Sequence, residues 1–191
     1  MIYFAGMDTQ QSPWQILATA VQYDNKWIRL TEHQVINPGG GRGIYGVVHF
    51  KNKAIGVVAM DAELNIYLVG QYRFPLEAFS WEIPEGGGPL GEDPLLSAQR
   101  ELLEETGLVA ARWEPIVQMH LSNSVSDESG IVYLARELEQ RTAEPEETEQ
   151  LFVRKLPFAQ AYQMVKNHEI TDSLSVAAIQ KIQLMMLEGE L

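Results

Sequence analysis

Between Gly86 and Leu108 the chain reads GGGPLGEDPLLSAQRELLEETGL, which gathers Glu92, Arg100, Glu101, Glu104 and Glu105 into one short segment. Like charges this close repel, so the crowding has one of two physical origins: a solvated helix face, or a cation that neutralises it. Carboxylates are hard oxygen ligands of the kind that Mg²⁺ and Mn²⁺ accept, and those ions keep waters and take substrate phosphates as further ligands. Bound there, they would polarise a phosphorus–oxygen bond, hold an attacking water and neutralise developing charge. Arg100 lies within i,i+4 reach of Glu104 and is placed to orient it.

The segment predicts its own support. Asp93 is a good N-cap, Pro94 suits the first helical position, and Gly107 stands where a helix commonly ends. At about 100° per residue, Leu95, Ala98, Leu102 and Leu103 share one side while Glu101, Glu104 and Glu105 span the opposite arc. The leucines are therefore expected on a sheet, the acids turned away from it, and the glycines in a loop folding back toward the acids.

Around this helix the chain reads mostly as strands. Two apolar runs between Ile16 and Val35 flank the turn-like Asp24-Asn25 and predict a β-hairpin. After NPGGGRG, a stretch of turn residues, come IYGVVHF, AIGVVAM, NIYLVGQYR and FSWEIPE, rich in β-branched and aromatic residues. Beyond Gly107, WEPIVQMHL, GIVYLAREL and EQLFVRKL read as strands, divided by the polar SNSVSDES and the acidic TAEPEETE. Helical patterns around FAQAYQMVKN and SLSVAAIQKIQLMML follow. This order predicts an α+β protein with a mixed sheet sandwiched between helices, α/β/α, and an N-terminal hairpin extension over 1–40 before the main domain, 41–191.

Composition narrows the partners. The chain's 191 residues, 46% hydrophobic, suffice for one core. Its net charge of −12 argues against nucleic acid, since a sequence-independent grip needs a dense basic surface. An anionic ligand needs a bridging cation or a local basic patch. There is no cysteine, which removes disulfides, thiolate metal sites and a Cys nucleophile. No apolar run approaches a membrane span and the first residues do not form a signal peptide, so no membrane partner and a cytoplasmic location are expected.

With its spacing, the segment from Gly86 through Glu92 to Arg100-Glu101-Leu102-Leu103-Glu104-Glu105-Thr106-Gly107-Leu108 resembles the Nudix box of the Nudix hydrolases, every fixed position being filled. The resemblance implies the Nudix fold and hydrolysis dependent on Mg²⁺, with Mn²⁺ as a substitute. It implies Glu101 and Glu105 as main metal ligands, Glu104 as a ligand or water-mediated partner, and Glu92 as a support for the loop or the metal cluster. The family also brings a backbone carbonyl to the metal from the residue before the first box glycine. Here that residue is Glu85, where many relatives have alanine.

QYRFP and WEIPEGG are similar to the segments preceding the box in the ADP-ribose and nucleoside diphosphate sugar pyrophosphatase branch. That branch implies a homodimer sharing N-terminal strands, with Arg73 on the diphosphate and Glu82 among the substrate contacts. It also implies an acidic residue from a downstream loop as base or further ligand. Of Glu144, Glu146, Glu147 and Glu149, the likeness of ETEQLFV to the family favours Glu149, then Glu147. Relatives specific for ADP-ribose carry a Ser-Pro-Gly-like element downstream of the box, whereas this chain has Ser122-Asn123-Ser124. ADP-ribose and a broader set of nucleoside diphosphate sugars therefore stand as equal alternatives. Trp27 and Tyr45 are candidates for stacking on the base.

Other patterns carry less. Gly41-x-Gly43-x-x-Gly46 precedes a strand instead of opening a helix, which denies it the context of a dinucleotide fingerprint. The four histidines lack HExxH spacing and read as structural or surface residues. A Nudix-fold binding domain without turnover remains the alternative function, disfavoured by the complete box. An isoprenoid diphosphate isomerase is disfavoured by the absence of cysteine.

Overall fold

The computed structural model of the chain describes residues 11–142 and 151–191. Two compact units divide it, one running to Lys51 and including Ser122–Asp127, the other comprising Asn52–Leu121 and Glu128–Leu191.

In the first unit, β1 (Gln15–Asp24), β2 (Ile28–Ile36) and β3 (Arg42–Phe50) form an antiparallel sheet in that order. The Asp24-Asn25 hairpin forms as the residues predict: the Asn25 side chain accepts from the Trp27 and Ile28 backbone N–H groups, each at 2.8 Å. The Gly41 to Gly46 pattern leads into β3 and opens no helix.

The second unit is the predicted sandwich. β7 (Glu85–Pro89), β4 (Asn52–Ala59), β9 (Ser129–Gln140) and β8 (Leu108–His120) form a mixed sheet in which β4 and β9 run parallel. A second, antiparallel sheet has the order β10 (Phe152–Pro157), β5 (Asn65–Arg73) and β6 (Ala78–Glu82). The two-residue side-chain period of a strand explains the layers. Ile55, Val57 and Ala59 of β4, with Tyr133 and Ala135 of β9, pack with Ala98 and Leu102 of α1 (Pro94–Thr106). Their neighbours Val58, Val132 and Leu134 pack instead with α2 (Phe158–Lys166) and α3 (Ser173–Glu188), through Ala161, Ile179 and Ile182. No helix among the described residues is long and apolar enough to cross a membrane.

The acidic helix starts and stops where its capping residues dictate. Asp93 Oδ1 accepts from Leu95 N–H at 3.0 Å and Pro94 opens the first turn. Gly107, at φ 70°, closes the helix by donating to Leu103 O at 2.8 Å, and a side chain there would strain this left-handed backbone.

Two expectations are corrected. EGGGP is not a loop but strand β7, paired with β4 from Gly56↔Glu85 to Asn52↔Pro89; ladder hydrogen bonds outweigh the low strand propensity of glycine. Nor do all three acids turn away from the core. Glu105 is buried at 6% exposure, because it follows Ala98 by seven residues and so lies about 20° from it around the helix.

Candidate active site

The acidic helix and the strand before it meet through their smallest residues. At Gly86 a methyl group would overlap the Glu101 carboxylate, and at Gly88 it would press on Ile55 and on Ser97 Oγ at 2.9 Å. Glycine is what allows α1 to lie this close to β7. The Glu101 carboxylate therefore rests against Gly86, and Glu105 Oε2 accepts from Glu85 N–H at 2.9 Å. Two box carboxylates are thus drawn to the Glu85-Gly86 stretch.

Arg100 departs from expectation. Its Nη2 donates to Glu101 Oε1 at 2.9 Å and to Gly87 O at 3.1 Å, not to Glu104. A neighbouring carboxylate and a strand carbonyl both lie within reach of that nitrogen, a pairing that a helical spacing rule omits. Glu104 is half-buried and holds no hydrogen bond or ion pair among the described residues. Glu92 accepts from Ser97 Oγ at 2.5 Å, and its N–H donates to Pro89 O at 3.1 Å. Those bonds tie down the turn before α1, so Glu92 stands as a loop support.

Beside the box, Arg73 is clamped. Its Nε donates to both oxygens of Glu82 at 3.0 Å, and Nη2 donates to Glu82 Oε2 at 2.5 Å and to Glu85 Oε1 at 2.6 Å. Glu82 is nearly inaccessible, whereas a third of the Arg73 side chain is open to solvent. Burial by itself lowers the guanidinium, yet Glu82, Glu85 and Asp172 outweigh it and raise it overall. Glu85 shows the converse. Burial first, then the charges of Asp172 and Glu82, push its carboxyl well above the ordinary range against the opposing pull of Arg73. No donor reaches the buried Glu85 Oε2, and Asp172 raises the Glu85 carboxyl both by its charge and by a side-chain hydrogen bond in which an ionised Asp172 only accepts.

Asp172 and Ser175 escaped the sequence reading. Asp172 caps α3 by accepting from Ser175 N–H at 2.7 Å, and Ser175 Oγ accepts from Ile83 N–H at 2.9 Å. The only signal they offered was that of an ordinary helix start, Asp-Ser-Leu-Ser.

The stacking candidates belong to the first unit. Tyr45 donates its hydroxyl to Ser124 O at 2.6 Å and meets Trp14 edge to face at 5.2 Å. It lines an apolar groove of about 300 Å³ with Trp14, Ile16, His33, Val35 and Val47. Trp27 lies at the β1–β2 turn, over half exposed, under the Lys26 ammonium. His33 pairs with Tyr45 and Trp27 lies six residues before His33, so the two rings stand about 20 Å apart along the strands and one base cannot rest on both rings of one chain. Glu144, Glu146, Glu147 and Glu149 lie outside the described residues.

The donor chemistry suits a divalent cation: Glu101 and Glu105 contribute hard anionic oxygens, and the strand beside them contributes carbonyls. Among the described residues, no three carboxylate or imidazole groups already stand in ligating geometry. Arg100, now on Glu101, has to yield for that carboxylate to ligate fully.

Known proteins resemble this chain in sequence and fold. Residues 51–176 match the model of the NUDIX domain, and residues 14–48 match that of the nucleoside diphosphate sugar hydrolase N-terminal domain. The chain is 40% identical over 155 residues to an ADP-ribose pyrophosphatase of Mycobacterium tuberculosis, covering 78% of this chain and 73% of that protein. It is 37% identical to an ADP-ribose pyrophosphatase of Bacillus subtilis, with 69% and 72% covered, and 34% identical to a methanol dehydrogenase activator of Bacillus methanolicus, with 85% and 88% covered. A crystal structure described as an ADP compounds hydrolase superimposes with a TM-score of 0.82 over 93% of this chain and 97% of that one, at 18% identity, which speaks for the fold alone. On the domain match and these relatives, the chain belongs to the Nudix family of hydrolases.

Proposed function

We propose that the protein hydrolyses the pyrophosphate bond of nucleoside diphosphate sugars, ADP-ribose and GDP-mannose among them, to a nucleoside monophosphate and a sugar phosphate. The observation that carries this reading is the convergence of the Glu101 and Glu105 carboxylates on Glu85-Gly86, beside a half-open arginine. The N-terminal match to nucleoside diphosphate sugar hydrolases and the two pyrophosphatase relatives support the substrate class.

Glu101, Glu105 and the Glu85 carbonyl would hold Mg²⁺, with Mn²⁺ as a substitute, and the ion would supply charge neutralisation and polarisation at the diphosphate. Arg73 offers Nη1, the nitrogen without a partner among the described residues, to a phosphate oxygen. Glu82 keeps that guanidinium oriented. Glu104, unpaired among the described residues, is placed to orient the attacking water, and Glu149 or Glu147 takes its proton. Arg100 releases Glu101 as the site fills.

The first unit is proposed to dimerise. β1 is an edge strand exposed along its whole length, and Ile16, Leu17, Val21 and Tyr23 each stand at least half exposed. An apolar edge of this kind calls for a cover. Light scattering at micromolar concentration is expected to give twice the chain mass; the mass of one chain overturns the dimer.

Activity is tested by chromatography of products from ADP-ribose, GDP-mannose, UDP-glucose and dinucleoside polyphosphates, with and without Mg²⁺. Turnover of one or more of the diphosphate sugars only with metal is expected. No turnover of any diphosphate in the presence of metal rejects the proposal and favours a nucleotide-sugar binding domain.

A further inference from the structure

Two carboxylates share one guanidinium in the second unit, and they are not equivalent. Glu82 grips Arg73 through both oxygens, the planar fork-to-fork geometry that already satisfies an arginine edge. Glu85 adds a single bond from Oε1 to Nη2 at 2.6 Å and leaves Oε2 buried without a donor. A buried oxygen without a donor costs stability, and burial beside Asp172 and Glu82 disfavours a further negative charge at this position. The chain keeps this costly side chain at a position where an alanine would pass, since β7 needs only the backbone of residue 85 for its pairing with Gly56. A cost retained beside a candidate phosphate ligand points to a gain in function.

The backbone supplies the gain. Glu85 N–H donates to Glu105 Oε2, so one residue touches the arginine through its side chain and the acidic helix through its main chain. Arg73 has a long, flexible stem at the end of β5, and Glu82 alone fixes one edge of its fork. A second anchor on Nη2 stops the fork from pivoting and leaves Nη1 free for a ligand.

We propose that the Glu85 carboxylate is a positioning residue that locks the Arg73 guanidinium at a fixed distance from Glu105, at the expense of stability. The proposal rests on the substrate reading above, in which Arg73 meets a phosphate.

Glu85→Ala and Glu85→Gln separate this role from a structural one. Glutamine keeps an oxygen for Nη2 and relieves the charge; alanine removes the anchor. Both are expected to raise Tm by about 2–4 °C, corresponding to roughly 1 kcal/mol in a chain of this size. Only Glu85→Ala is expected to raise KM for ADP-ribose or GDP-mannose, by about tenfold, with kcat within about threefold, as loss of a ground-state phosphate contact predicts. By NMR, the Arg73 Nε–H resonance is expected in slow exchange in the wild type and in Glu85→Gln, and broadened in Glu85→Ala. An unchanged KM with a sharp Arg73 resonance in Glu85→Ala overturns the proposal, as does a fall in Tm with kcat and KM worsening together. If neither sugar is turned over by the wild type, the substrate reading fails alone, and the arginine resonance still decides whether Glu85 holds Arg73.

Discussion

In the first unit a buried hydroxyl, Thr31, is shared by two histidines, and in the second a half-buried guanidinium, Arg73, is shared by two glutamates. The first network closes completely. His49 Nδ1 lies 2.6 Å from Asp127 Oδ2, His49 Nε2 2.9 Å from Thr31 Oγ1, His33 Nε2 3.0 Å from the same hydroxyl, and His33 Nδ1 2.8 Å from Thr19 Oγ1. An ionised Asp127 only accepts, so the tautomer that fits these bonds carries its proton on His49 Nδ1 and takes the Thr31 proton on a bare Nε2. His33 must then donate through Nε2 and accept from Thr19 through Nδ1. Each ring nitrogen then has one side-chain partner and donation runs in a single direction from Thr19 to Asp127, with Val47 O a more distant second acceptor for Thr31 at 3.5 Å.

The charged groups facing this chain are also paired. Arg29, opposite His49 in register, bonds Asp24 at 3.0 Å, and Lys51 bonds Asp24 as well. The second network does not close in the same way, because no donor reaches Glu85 Oε2 and the group facing it, Asp172, is another carboxylate. A satisfied network specifies a fold, whereas a buried group left wanting at a candidate site marks a place where stability has yielded to function. The comparison predicts opposite outcomes for substitutions in the two places.

The largest effect is expected at the box. Glu105→Gln should lower kcat by about a thousandfold, roughly 4 kcal/mol of barrier, because it removes one of the charged ligands of the proposed metal site. Its Tm should stay within a few degrees of the wild type, since an amide oxygen still accepts from Glu85 N–H. Near-normal turnover at saturating Mg²⁺ would remove Glu105 from the metal. Gly86→Ala should follow, with a loss of about a hundredfold, because its methyl displaces the Glu101 carboxylate. Equal kcat in that variant at equal folded fraction would show that the seat of Glu101 against β7 is incidental.

These positions also mark how far the residues alone could be read. Asp93, Pro94 and Gly107 made the ends of α1 legible, and the alternation in β4 and β9 made the sandwich legible, because capping and period are local properties. The spacing grouped Glu101, Glu104 and Glu105 on one arc, and the resemblance to the box put Glu101 and Glu105 first among them. What stayed hidden depends on which strands pair and in what register. The bond from Arg73 to Glu85, the approach of Asp172 from the last helix, and the relay from Thr19 to Asp127 all join distant stretches of chain. Even Glu105 was misread through a local rule: grouped with its acidic neighbours, it lies closer around the helix to Ala98 than charge alone indicated.

A smaller effect, opposite in kind, is expected at the centre of the first network. Thr31→Val keeps the shape of a side chain that is 6% exposed but leaves His33 Nε2–H and His49 Nε2 without a partner. It should cost about 2 kcal/mol of stability, measured by urea denaturation, with kcat unchanged in the folded protein. A loss of kcat at full folding would erase the distinction between the two networks.

The smallest effect is expected at the end of the relay. Burial acts to raise the Asp127 carboxyl, but its hydrogen bonds to His49 and to the Phe50 backbone N–H, at 3.0 Å, hold it below the usual carboxylate range. A carboxyl lowered in the folded state stabilises the fold above its unfolded value, near 3.9, and loses that contribution as pH falls through its folded value. Since half of the Asp127 side chain is exposed, solvent screening limits the gain to about 1 kcal/mol or less. Asp127→Asn should therefore lower stability slightly at pH 7, and the gap to the wild type should close as the pH is taken below 4. A gap that stays constant down to pH 3 would mean that Asp127 acts by shape instead of charge, and the one-way ordering of the relay would lose the acceptor that fixes it.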